Sequence, residues 1–201
     1  MVYSDRSVAT EIHPTENRGF RELHAISREV VIYWRQLADR LRQADPTAAA
    51  ALEKGAATAR ELISELRPLT AARGVHGGAR AHGAGQMLAL GRSSLRDPFL
   101  ERNQALRLAL GDVEHLATLL AYLAARAGHR GDEELESFFS RWERKARRLA
   151  SPVRKAAIAQ AADPDGAIEP VVGGPVGHLA HSAAYWAGTL GEWYDRRSSA
   201  E

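Results

Sequence analysis

The chain has 201 residues, 45% hydrophobic and 26% charged, the balance of a sequence that folds around a core. Its 27 Lys and Arg nearly cancel its 25 Asp and Glu, leaving a formal charge of +2, so no strong overall field dictates a partner. It has no cysteine, which excludes disulfides, thiolate nucleophiles and Cys-ligated zinc or iron–sulfur centres.

Only Lys54, Lys145 and Lys155 are lysines; the other basic residues are arginine. That bias, with the abundant Ala and Gly, fits a GC-rich bacterial coding sequence. Arginine is also the better fork for phosphate and carboxylate. The opening residues, Met1 to Arg6, are polar, which predicts no secretory signal there and a cytoplasmic location. The most apolar stretch, Leu116 to Ala125, reads as too short for a bilayer, so no membrane partner is expected.

Residues 1–14 lack periodicity and read as an irregular arm ending at Pro14. Thr15 is the expected N-cap of a first helix over 16–43. Phe20, Leu23, Ile26, Val30, Tyr33, Trp34, Leu37 and Leu41 recur there at the helical period. Asp45-Pro46 starts a second helix, since proline at the first helical position loses no needed hydrogen bond. It carries Leu52, Ala56, Ala59, Ile63 and Leu66 inward, and Pro68 is expected to kink or end it.

Five glycines between 74 and 85 argue against a continuous helix, so 73–93 is expected to be one long loop. Asp97-Pro98 then starts a third helix, over 98–127 and closed by Gly128. Its seam, Phe99, Asn103, Leu106, Leu110, Val113, Ala117, Leu120 and Ala124, has the alternating steps of four and three of packed helices. A fourth helix begins near Asp132 and turns Leu135, Phe138, Phe139, Trp142, Ala146 and Leu149 inward. Ser151-Pro152 marks a kink or a fresh start, and Asp163-Pro164-Asp165-Gly166 a turn. A last helix is expected over 175–196. No stretch alternates with the period of a strand.

These elements predict an all-α fold: an antiparallel up-and-down helical bundle of four long helices plus one or two short ones, in a single domain over 1–201. On the last helix, Val176, Leu179, Ala183, Trp186, Leu190, Trp193 and Tyr194 form a bulky stripe. Beside it run Ala180, Ala184, Ala187, Gly188 and Gly191, small residues that admit a second backbone. A helix with two apolar sides is either central in its bundle or shared with a second subunit.

Three groups of residues are candidate sites. His178 and His181 stand three apart on the last helix, and with His24, Glu114 and His115 they have the chemistry of a divalent transition-metal site. Neither the carboxylate-bundle di-iron pattern nor His-Glu-x-x-His is present. Arg73, His76, Arg80 and His82 in the glycine-rich loop have the chemistry to wrap an anion, without a phosphate-loop fingerprint. Arg141, Arg144, Lys145, Arg147, Arg148, Arg154 and Lys155 face a single Glu143 in a basic run suited to nucleic acid, although acids at the helix start and bases at its end also suit the helix dipole. Arg18 and His24 have the arginine-to-histidine spacing of helical toxin ribonucleases, which chance also produces in so arginine-rich a chain.

No catalytic set assembles from these residues. The first functional expectation is therefore a non-enzymatic bundle acting by protein association, as a homo-oligomer or an adaptor. The alternative is a His/carboxylate metal-binding bundle, an oxidoreductase or a hydrolase. The third is a nucleic-acid or phosphate binder using 141–155.

Overall fold

The computed structural model describes residues 13–74 and 99–175, together with Leu179 and Ser182. Four long helices share one apolar core: α1 (Pro14–Leu41), α2 (Pro46–Ala71), α3 (Arg102–Arg130) and α4 (Glu133–Ala159). A 3-10 turn at Gln160–Ala162 and the short α5 (Pro164–Ala167) follow. Among the described residues there is no strand; one isolated bridge, Glu101 to Pro170, ties the segment after α5 to the start of α3.

Neighbouring helices run antiparallel. The short turns at 42–45 and 131–132 pair α1 with α2 and α3 with α4. Contacts between α1 and α3 pass from Trp34–Asp112 to Glu16–Arg130, and those between α2 and α4 from Glu61–Lys145 to Arg73–Asp132, so both pairs are antiparallel too. It follows that α2 and α3 point the same way. The connection between them joins opposite ends of the bundle, a long crossover within an otherwise up-and-down arrangement.

The helix starts follow the logic of Asp45-Pro46 more widely than the sequence suggests. At Asp45 the side chain accepts the Ala48 N–H at 2.9 Å. At α1 the cap is His13, not Thr15: its Nδ1 accepts the Thr15 N–H at 3.2 Å, and Glu16 accepts the His13 N–H at 3.3 Å. Pro14 is the first helical residue, where a missing N–H costs nothing. Pro68 does not stop α2, which continues to Ala71; in that last turn Thr70 Oγ1 donates to the Leu66 and Arg67 carbonyls. Pro152 is likewise absorbed inside α4.

The third helix starts later than Asp97-Pro98 implies, with a Glu101–Gln104 capping box, which leaves Phe99 off the helical face and 48% exposed. It ends later too: Gly128 stays helical, and the Glu136 carboxyl comes within 3.0 Å of where a Cβ would stand there. Gly131 takes the left-handed conformation, φ 76°. As one 29-residue helix with a window of mean hydropathy 1.3, α3 is long and apolar enough to cross a membrane, unlike the ten-residue stretch alone. Half of that window is buried in the bundle, against α1 and α4.

The core is where the periodicity places it. Every apolar residue named above for the first, second and fourth helices is buried. Phe20 stacks on Phe139 at 5.7 Å, and Phe138 meets Phe139 edge-on. Trp34 is fully buried and spans three helices: its Nε1 donates to Asp112 on α3 at 3.3 Å. On α2 its ring occupies the space a Cβ at Gly55 would need. Helix α2 approaches α1 there only because residue 55 has no side chain.

Candidate functional site

The outer edge of the α1–α2 seam carries charge at a fixed repeat. On α1, Arg21, Arg28, Arg35 and Arg42 are seven residues apart; on α2, Glu53, Arg60 and Arg67 are too. Seven residues fall about 20° short of two turns, so each row keeps to one side of its helix. Arg42 pairs with Glu53 at 2.7 Å, and this sets the register. By that register Arg35 comes level with Arg60 two turns along both antiparallel helices, and Arg28 with Arg67 two turns further. Successive rungs are about 10 Å apart.

The first rung is an ion pair and the next two are like-charged. None of Arg21, Arg28, Arg35, Arg60 or Arg67 has a carboxylate within ion-pair distance among the described residues. Burial first, then the charge of Arg67, holds the Arg28 guanidinium below its ordinary range. Beside this rung lies His24, only 5% exposed, whose Nε2 is enclosed without a hydrogen-bond partner. Burial, then Arg28, then Arg67 hold its imidazole below 6.5, so near neutral pH it is uncharged.

The end of the bundle where α1 begins uses arginine differently. Arg130 Nη1 donates to Glu16 at 3.0 Å and Nη2 to Asp132 at 2.8 Å. Arg73 donates to Asp132 through two nitrogens at 3.2 Å and to Glu134 at 2.8 Å. Asp132 also caps α4 by accepting the Leu135 N–H. One network thus holds the start of α1, the ends of α2 and α3, and the start of α4.

The sequence-predicted residues fall apart into separate environments. Arg73 belongs to this network; His76, Arg80 and His82 lie outside the described residues. Glu114 and His115 diverge, as adjacent helical residues must: Glu114 reaches Arg147 on α4 at 3.7 Å, and His115 Nε2 meets Glu22 on α1 at 2.9 Å. His24 joins neither. Among the described residues no group of three His, Asp or Glu is placed to hold a metal. His178, His181 and the small residues Ala180, Ala184, Ala187, Gly188 and Gly191 lie outside the described residues.

In the basic run, Arg141 pairs with Glu65, Lys145 with Glu61, and Arg147 with Glu143 and Glu114. Trp142 is held inside that set: its Nε1 donates to Glu65 at 3.1 Å, and Lys145 lies 4.2 Å above its ring. Arg144, Arg148, Arg154 and Lys155 are exposed and unpaired among the described residues.

The α1–α2 rows escape a reading of one helix at a time. Their signal is present in the sequence as the seven-residue repeat from Arg21 to Arg42 and from Glu53 to Arg67. What turns the repeat into a site is the register between the two helices. The fold defines the class: a four-helix bundle with one long crossover and a cationic seam. No protein-family model matches the chain, and no curated protein or solved structure matches it.

Proposed function

We propose that this protein is a non-enzymatic helical bundle that works by association, and that its partner is a polyanion, a nucleic-acid backbone. What supports this reading is the absence of any carboxylate partner, among the described residues, for Arg28, Arg35, Arg60 and Arg67 along a seam whose register brings Arg35 level with Arg60 and Arg28 level with Arg67. Four guanidiniums along one seam repel each other in the free protein, and phosphates laid along it would convert that repulsion into attraction. The unpaired Arg144, Arg148, Arg154 and Lys155 on α4 support the same reading, as a second cationic face. Self-association through the last helix rests on residues outside those described.

Binding of a DNA or RNA duplex, followed by anisotropy between about 50 and 200 mM salt, tests the proposal. The expected result is binding at low salt that weakens steeply with salt and is weaker, with a shallower salt dependence, when the seam arginines become glutamine. Absence of binding at low salt, with binding of an acidic protein instead, would remove the nucleic-acid assignment.

A further inference from the structure

We infer that Ser151 is a phosphorylation site, whose phosphoryl group comes from a nucleoside triphosphate and is held by Arg148, Arg154 and Lys155. Its consequence for duplex binding rests on the nucleic-acid reading above; the site itself does not.

Ser151-Pro152 has the form of a helix start, yet it lies inside α4, about two turns before the helix ends at Ala159. It caps nothing there. Serine or threonine in a helix interior often turns its hydroxyl back onto the carbonyl four residues earlier, as Thr58 and Thr70 do on α2. Ser151 is exposed and makes no such bond among the described residues.

Its surroundings are basic on both sides. Residues three and four apart are neighbours on a helix surface, about 5–6 Å apart at Cβ. At those positions Ser151 has Arg147, Arg148, Arg154 and Lys155, and no acid. Arg147 is already paired with Glu143 and Glu114. Arg148, Arg154 and Lys155 are exposed and without an ion pair among the described residues. The other exposed serines of the long helices differ: Ser64 has Glu61 among these neighbours, and Ser137 has Glu133 and Glu134.

A phosphoserine carries about −1.5 to −2 charges at pH 7. Toward the end of a helix that charge is ordinarily unfavourable, because it adds to the negative pole of the dipole. Three free cations, one turn to either side, offset that cost and offer the phosphate oxygens charge-assisted donors. Pro152 supplies the access. It has no N–H for the Arg148 carbonyl, so the turn carrying Ser151 is held by one backbone bond fewer and opens more easily than its neighbours. In the transfer, the Oγ–P bond forms as the bond from the γ-phosphorus to its bridging oxygen breaks. The hydroxyl proton passes to the enzyme's base, and a nucleoside diphosphate leaves. The phosphate offsets about two of the four unpaired charges of Arg144, Arg148, Arg154 and Lys155, so duplex affinity falls.

The test has two arms, both on the full chain. In the first, the chain is incubated with Mg-ATP and a serine kinase, a basic-directed enzyme in one reaction and a proline-directed one in another. Phosphate located at Ser151 by mass spectrometry, with incorporation lost in Ser151→Ala, supports the site; no transfer to Ser151 in either reaction overturns it. In the second, phosphoserine is introduced at position 151 during synthesis and its phosphorus resonance is titrated. The midpoint should lie a few tenths of a pH unit or more below the ordinary value of about 6, and return there when Arg148, Arg154 and Lys155 become glutamine. A midpoint that those three substitutions leave unchanged means that they do not hold the phosphate, and overturns the inference. The same phosphoserine should lower duplex affinity several-fold. A lowered midpoint with unchanged duplex affinity keeps the site and takes α4 out of the nucleic-acid reading; absence of duplex binding by the unmodified chain removes that reading and leaves the site standing.

Discussion

Arginine does opposite things at the capped end of the bundle and along the α1–α2 seam. At the capped end, Arg130 and Arg73 each serve two carboxylates, and Glu16 is buried beneath them with a side chain only 3% exposed. Along the seam, Arg28, Arg35, Arg60 and Arg67 have no carboxylate partner among the described residues. The side chain is the same, so the difference lies in what the neighbouring helix presents at that register. Paired arginines hold helices together; unpaired ones facing each other across a seam weaken the free fold slightly and are an asset only when something anionic arrives.

The comparison breaks most visibly where a charge is buried. Arg130→Met leaves Glu16 without its guanidinium and should cost about 3 kcal/mol in urea unfolding. That is the low end for a broken buried pair, because Arg130 keeps some contact with water. Nucleic-acid affinity should not change. A loss of affinity matching the loss of stability would mean that the two regions are not separate.

Next in size is the contact that holds the seam in register. Gly55→Ala sets a methyl against the Trp34 ring and should destabilise by about 1–3 kcal/mol, despite the better helix propensity of alanine. Trp34 fluorescence should shift as its bond to Asp112 is disturbed. A stability equal to that of the parent would show that α1 and α2 separate freely there, and the rungs with them.

The sharpest contrast has a smaller effect. Arg60→Glu turns the middle rung into an opposite-charge pair with Arg35. Stability should rise by a few tenths of a kcal/mol, while duplex binding falls. Both arginines are exposed, so salt should erase the gain. A substitution that stabilises the fold and weakens binding is the signature expected of a seam held in reserve for a ligand.

The two regions also respond to different pH windows. His24 titrates below 6.5 in the folded chain, through burial and then Arg28 and Arg67. Above 6.5 it is neutral folded or unfolded. As pH falls below 6.5, the unfolded chain takes up a proton that the folded chain refuses, so stability is lost from there down to the folded midpoint. Asp132 lies lower. Its partial burial pulls it up, but the Leu135 N–H, Arg73 and Arg130 outweigh that and hold it below 3.8. Its contribution is full above 3.8 and fades only as pH falls through the folded midpoint. Stability measured between pH 7 and 5 should therefore decline in the parent and stay flatter in His24→Gln.

Much of the fold is legible in the sequence because burial imposes a period: Phe20 to Leu41 and Leu135 to Leu149 announce their buried faces. Helix ends are less legible. Proline at 14, 68 and 152 has one sequence meaning and three structural outcomes, set by whether the lost N–H falls at a helix start, in a last turn or inside a well-packed helix. The site is least legible of all. His115 and Glu22, or Arg28 and Arg67, are joined by helix order and register, which no single helix encodes. The crossover between α2 and α3 decides which helices become neighbours, and it is written in a glycine-rich segment without periodicity.

The central claim is that the seam arginines contact phosphates, and the salt dependence of duplex binding tests it most directly. The slope of log affinity against log salt measures the number of phosphates neutralised, at about 0.9 per contact. Replacing Arg28, Arg35, Arg60 and Arg67 together by glutamine should flatten that slope by roughly three to four, with the fold at least as stable as before. An unchanged slope in that variant would contradict the account and shift the search to the basic face of α4.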